Sequence, residues 1–322
     1  MEPVSSTTSP SPTSTTDGAR HSWRDPSPVW RRRTLVANLA AQVLIVGTGG
    51  AVRLTGSGLG CSTWPQCEPG EFTPVMHEAT SYHPIVEFGN RTLTGVLAVL
   101  AVAAAWVVWR RVDRSRAYRW LGLAPLLGVV VQAVVGGITV LVDLHPGVVA
   151  VHFLISMGLV AVSALLLARD REGDGPGTPT LPRTPHRLGL LLVPLLGVVL
   201  VLGVVTTGAG PHSGDEEVAY RFALDPVTVA RTHAASVWVY VALGVVVALL
   251  ARRTAGRAGD AAAARPARAA ALLVVVALAQ GLVGYVQYFT GLPAVLVAVH
   301  MLGASALVIA QVHQTTSMRV RA

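Results

Sequence analysis

Two imidazoles lie in copies of one short segment. Val149-Ala150-Val151-His152-Phe153-Leu154 recurs as Val297-Ala298-Val299-His300-Met301-Leu302. Each histidine follows a glutamine by twenty residues, Gln132 and Gln280, and a glycine follows each glutamine by four, Gly136 and Gly284. A third histidine, His233, opens another apolar stretch. A polar group in an apolar span is costly and points to function, and a unit written twice points to a duplicated site. His233 and His300 fall on different spans at similar depth. Imidazoles facing one another from two helices can take both axial positions of a porphyrin iron. Zinc usually takes four ligands, and no carboxylate or thiol falls at that depth. A lone membrane histidine also serves as a plain interhelical hydrogen-bonding group. Matched depth inside a duplicated unit favours haem.

The first half breaks the pattern. His152 keeps its place, but Asn90 occupies the position corresponding to His233. One half can therefore hold a doubly ligated, electron-carrying haem. The other has one imidazole and an open face, which suits a reactive or exchangeable ligand. His83, Glu87, Asn90 and Arg91 are spaced by three and four, which predicts a shared helix face. Two readings stand: an internal His83–Glu87 or Glu87–Arg91 pair at the water interface, or a site wall on which Glu87 manages protons. Arg53 is the lone cation of the glycine-rich run 47–61. It either snorkels to headgroups or pairs with an anion such as a carboxylate. Arg221 and Arg231 are placed by depth to hold propionates. Cys61 and Cys67 form either a loop staple or a redox pair.

These residues need apolar elements to position them. The chain is 52% hydrophobic and 13% charged, half the usual charged share, with mean hydropathy +0.55. Eight spans of about twenty residues or slightly more are predicted, at 34–54, 84–109, 120–142, 147–168, 188–209, 227–250, 269–289 and 293–313. The expected fold is an all-α integral membrane protein, with eight transmembrane helices in two pseudo-symmetric four-helix bundles. There is no lysine, and most of the 25 basic residues fall in the N-terminal segment, alternate loops and the C-terminal tail. The positive-inside rule then places both termini in the cytoplasm. That asymmetry accounts for the net charge of +8, so no nucleic-acid partner is called for. Residues 1–33 read as a disordered cytoplasmic tail, rich in Ser, Thr and Pro. The first bundle is expected over 34–168, a cytoplasmic linker over 169–187, the second bundle over 188–313 and a cytoplasmic tail over 314–322. Thr206-Thr207-Gly208-Ala209-Gly210 echoes Leu54-Thr55-Gly56-Ser57-Gly58, so the halves run parallel, related by an axis along the membrane normal.

The chain resembles the haem A synthase family across residues 34–313. The resemblance is carried by Gly49-Gly50-Ala51-Val52-Arg53-Leu54-Thr55-Gly56-Ser57-Gly58-Leu59-Gly60-Cys61, by Glu87-Phe88-Gly89-Asn90-Arg91, and by the paired Val-Ala-Val-His segments. It implies an oxidoreductase of a bacterial plasma membrane that converts the C8 methyl of haem O to the formyl of haem A for cytochrome oxidase, with haem b as cofactor. It also implies working alongside haem O synthase and cytochrome oxidase assembly, with an electron donor that the sequence does not name. His233 and His300 then match the haem b ligands, His152 a ligand of the substrate haem, Glu87 the catalytic acid, and Cys61 and Cys67 the extracytoplasmic pair. Asn90 departs from the family's second histidine in that half, and His83 is the candidate substitute.

Two other classes compete. A membrane haem carrier suits a duplicated bundle, but has little use for an acid beside the ring and leaves its mass unchanged. A b-type subunit for quinol would want two bis-histidine haems, and Asn90 argues against that.

Overall fold

The computed structural model describes residues 26–75, 82–212, 214–215, 218, 220–258 and 264–321. Of the tail expected to be disordered over 1–33, residues 1–25 lie outside the described residues and 28–33 are helical. The elements are α1 (Pro28–Leu54), α2 (His83–Trp109), α3 (Arg116–Leu141), α4 (Pro146–Arg169), β1 (Thr178–Pro179), α5 (Arg183–Ala209), α6 (Pro226–Ala258), α7 (Ala264–Phe289), α8 (Ala294–Ser317) and β2 (Arg319–Val320). Eight of these helices are long and apolar enough to cross a membrane, and the protein is read as multi-pass.

The helices overrun the apolar runs at their arginine-rich ends. α1 begins at Pro28, not at residue 34, with the Ser27 hydroxyl accepting from the Trp30 amide. α6 continues to Ala258, beyond the expected end at 250. Hydropathy stops at the hydrocarbon edge, but a helix does not. Arginine and alanine propagate it, and only a cap or breaker ends it.

Contacts close two rings, α1–α2–α3–α4 and α5–α6–α7–α8. α2 thus lies across its ring from α4, and α6 across its ring from α8. The rings join where α8 packs on α1 and α4, and where α4 packs on α5. The main core lies at this junction, with Val46, Met157, Val160, Leu192, Tyr240, Leu273 and Val308 buried together. Small residues permit the approach: a methyl added at Gly50 would sit 3.1 Å from Met301, and one at Gly47 would sit 2.9 Å from Leu302.

The arginine-rich end is tied by charge. Arg31 and Tyr118 both bond Asp170, at 2.5 and 2.8 Å. Arg114 and the Ser115 amide bond Asp174, at 2.9 and 2.6 Å. The linker is not a bare tether. β1 pairs antiparallel with β2 of the tail, the Thr180 amide donates to the Met318 carbonyl at 2.9 Å, and Arg319 and Arg321 approach Glu172.

Candidate functional site

A cavity of about 1570 Å³ runs between the helices at the end away from the arginine clusters. Single-ligand pockets rarely exceed about 1,000 Å³, so this one has room for more than one flat ligand. His152, His233 and His300 all line it.

Each ring is seated against a glycine of the preceding helix. A methyl at Gly136 would lie 3.3 Å from Cε1 of His152, one at Gly203 3.3 Å from Cε1 of His233, and one at Gly284 3.4 Å from Cε1 of His300. A larger side chain would push the ring off its seat. The repeated glutamines have a matching purpose. The side-chain amide of Gln132 donates to the His152 carbonyl at 2.9 Å, and that of Gln280 to the His300 carbonyl at 2.9 Å. Each bond pins the backbone that carries the imidazole. Glutamine and glycine four apart share a helix face, so one turn supplies both the pin and the seat.

Nδ1 of all three histidines is buried and outside strict hydrogen-bond geometry among the described residues. The Val199 carbonyl approaches the His233 ring and the Gln280 carbonyl the His300 ring, each four residues before the seating glycine. A buried imidazole with a loose carbonyl behind it and its other nitrogen free to face a cavity has the form of an axial ligand. His233 and His300, from helices across one ring, are also electrostatic neighbours. Among the described residues, no three His, Cys, Asp or Glu side chains gather as a bare metal ion would need. A porphyrin needs only one or two protein ligands and a wide apolar slot, and these residues fit it.

In the first ring the corresponding pair differs. Asn90 of α2 lies across from α4, and its partner on α1 is Thr48, whose hydroxyl donates to Asn90 Oδ1 at 2.8 Å. Thr48 thus takes the seat that a glycine provides elsewhere, a feature the sequence reading missed. No sequence signal marked it, because the contact appears only when α1 and α2 are packed together.

Glu87 is 5% exposed and lines the cavity. One oxygen accepts the Cys61 amide at 2.7 Å, and the other accepts Arg91 through Nε at 3.0 Å and Nη2 at 2.5 Å. Arg91 also donates to the carbonyls of Thr63 and Gln66, at 2.9 and 3.1 Å. Of the two pairings proposed for this face, the Glu87–Arg91 pair is present, and it lies on the cavity wall. Cys61 and Cys67 are bonded as a disulfide. Their loop lays the Trp64 ring on Gly137 at the cavity mouth, where a methyl would come within 2.5 Å.

His83 keeps the helical spacing but not the cavity. It is the first residue of α2, its Nδ1 lies 2.9 Å from the Ser57 hydroxyl, and it does not line the cavity. The first turn carries it above the slot. Arg53 lines the cavity and reaches across to the other half, donating to the carbonyls of His212 at 2.7 Å and Thr207 at 3.2 Å. It does not snorkel outward. Arg231 lines the cavity; Arg221 is exposed, donates to the Pro211 carbonyl at 3.2 Å and does not line it.

Comparison with known proteins gives one consistent family. The model of the COX15-CtaA cytochrome oxidase assembly proteins matches residues 32–312. Proteins named heme A synthase from Bacillus pumilus, Lysinibacillus sphaericus and a strain of Bacillus cereus are 38%, 33% and 32% identical to parts of the chain. The aligned stretches cover 39%, 43% and 41% of this chain, and 40%, 46% and 43% of those relatives. The chain thus spans less than half the length of the curated relatives it matches.

Proposed function

Because the chain belongs to the COX15-CtaA family of cytochrome oxidase assembly proteins, we propose that it is a haem A synthase, a membrane oxidoreductase that turns the C8 methyl of haem O into the formyl group of haem A. The observation that carries this is the seating of three imidazoles against three glycines around one cavity, unequally shared between two rings of helices.

His233 and His300 hold a resident haem b in the second ring. Bound there, that haem supplies one-electron transfer. His152 holds the substrate porphyrin in the first ring. Glu87 keeps a negative charge on that wall, fixed by Arg91 and the Cys61 amide. There it stabilises positive charge developing at the methyl carbon being oxidised. Among the described residues three arginines line the cavity; Arg91 is tied to Glu87, while Arg53 and Arg231 carry no carboxylate partner and are assigned to the porphyrins' propionates. The disulfide loop covers the mouth with Trp64 and limits the entry of water. The arginine-rich ends support an orientation with both termini in the cytoplasm of a bacterium. The substrate would come from haem O synthase, and the product would go to cytochrome oxidase assembly.

Expression with a source of haem O, followed by mass measurement of extracted haems, tests the reading. The formyl product is expected. Haem O recovered unaltered, from protein that binds it, would favour a haem carrier instead.

A further inference from the structure

Among the described residues, the pair Asn90–Thr48 stands where the other three positions have a histidine on a glycine. At each of the three histidines a ring that lines the cavity rests on a glycine. At Asn90 the seat is filled by Thr48, whose hydroxyl donates to Oδ1 at 2.8 Å. The Thr48 hydroxyl has one proton and two acceptors in reach, Asn90 Oδ1 at 2.8 Å and the Ile45 carbonyl at 3.3 Å; given to the nearer, that proton turns the amide oxygen toward Thr48. Among the described residues the side chain's hydrogen bond is at Oδ1, which leaves the amide nitrogen to the cavity that Asn90 lines. An amide nitrogen is a donor with no lone pair to give to iron. Where His233 can ligate, Asn90 can only donate a hydrogen bond. His83 does not make up the difference, since it lies outside the cavity, against Ser57.

We propose that the first ring grips its porphyrin iron through His152 alone, and that Asn90, oriented by Thr48, donates a hydrogen bond to a small exchangeable ligand on the opposite face. This rests on the haem reading above and adds a binding site to it, for small anionic or dipolar molecules with an acceptor atom. The placement follows from topology. Asn90 on α2 and His152 on α4 lie across the first ring, as His233 on α6 and His300 on α8 lie across the second. A ring held by His152 therefore presents its far face to Asn90.

The test uses the full chain in detergent, loaded with ferric protohaem and titrated with cyanide, followed by optical and electron paramagnetic resonance spectra. Two populations are expected: one low-spin from the start and inert to cyanide, the other high-spin and converted by it. His152→Ala should remove the responsive population only. Asn90→Leu should weaken cyanide binding about tenfold, the loss expected for a hydrogen bond to a charged group. Thr48→Val, which frees the amide to rotate, should move it the same way by less. The double variant Thr48→Gly, Asn90→His rebuilds the glycine–histidine pair and should make both populations low-spin and inert. Wild-type protein with both haems low-spin and inert would overturn the proposal while leaving the haem reading intact. So would unchanged cyanide affinity in both Asn90→Leu and Thr48→Val, or a responsive population that survives His152→Ala. Absence of any low-spin haem would instead defeat the assignment of His233 and His300.

Discussion

Glu87 accepts the Cys61 amide at 2.7 Å, so one carboxylate joins the disulfide loop to the second helix. Its other oxygen holds Arg91, whose side chain is 17% exposed. Removing the carboxylate leaves a largely buried cation with only carbonyl partners. Glu87→Ala should cost about 3 kcal/mol, the penalty for breaking a buried pair. Glu87→Gln, which still accepts from Cys61, should cost less. Denaturation midpoints in detergent measure the difference. Both variants should keep bound haem and fail to make haem A. Undiminished haem A in Glu87→Gln would remove the charge from the mechanism.

The seats predict a graded series. Gly284→Ala places a methyl 3.4 Å from the His300 ring, a contact the ring tolerates with a small shift. Gly284→Val should displace the ring and abolish the low-spin haem spectrum of the reduced, purified protein. Gly203→Val should do the same through His233. His300→Ala sets the zero of the scale.

The pins predict a milder loss. Gln280→Leu removes the 2.9 Å bond to the His300 carbonyl without filling the seat. Partners that orient a ligand typically govern its hold by about 10–100-fold, so haem affinity should fall toward the low end of that range. Competition with apomyoglobin for haem gives the number. No change would mean that packing alone positions α8.

Acid should weaken the arginine-rich end through Asp174. The guanidinium of Arg114, with bonds from Ser115, holds that carboxyl well below the usual carboxylate range. A lowered folded value means the stabilisation is complete above the unfolded value of about 3.9, and is lost as pH falls below it. Asp174→Asn should therefore lower the melting midpoint at neutral pH. The gap to wild type should shrink below about pH 4. A gap independent of pH would show that shape, not charge, matters there.

Much of this was readable before any coordinates. Apolar runs of span length fixed the eight helices, because the bilayer leaves few other solutions for a backbone. The duplicated histidines pointed to the cavity, because polar groups in apolar spans are rare enough to stand out. Other features were silent. Thr48 reads as an ordinary threonine until Asn90 is placed beside it. Arg53 had two readings, and its contact with the His212 carbonyl depends on packing between distant segments. His83 matched the helical period yet missed the slot, because periodicity gives a direction around the axis and not a height along it. The pairing of β1 with β2 involves strands of two residues, too short to leave a pattern.

Met301 and Leu302 of α8 pack on Gly50 and Gly47 of α1, so the wall behind the first compartment is supplied by a helix of the second ring. A side chain added at either glycine would push on α8, which also carries His300, and so disturb both compartments at once.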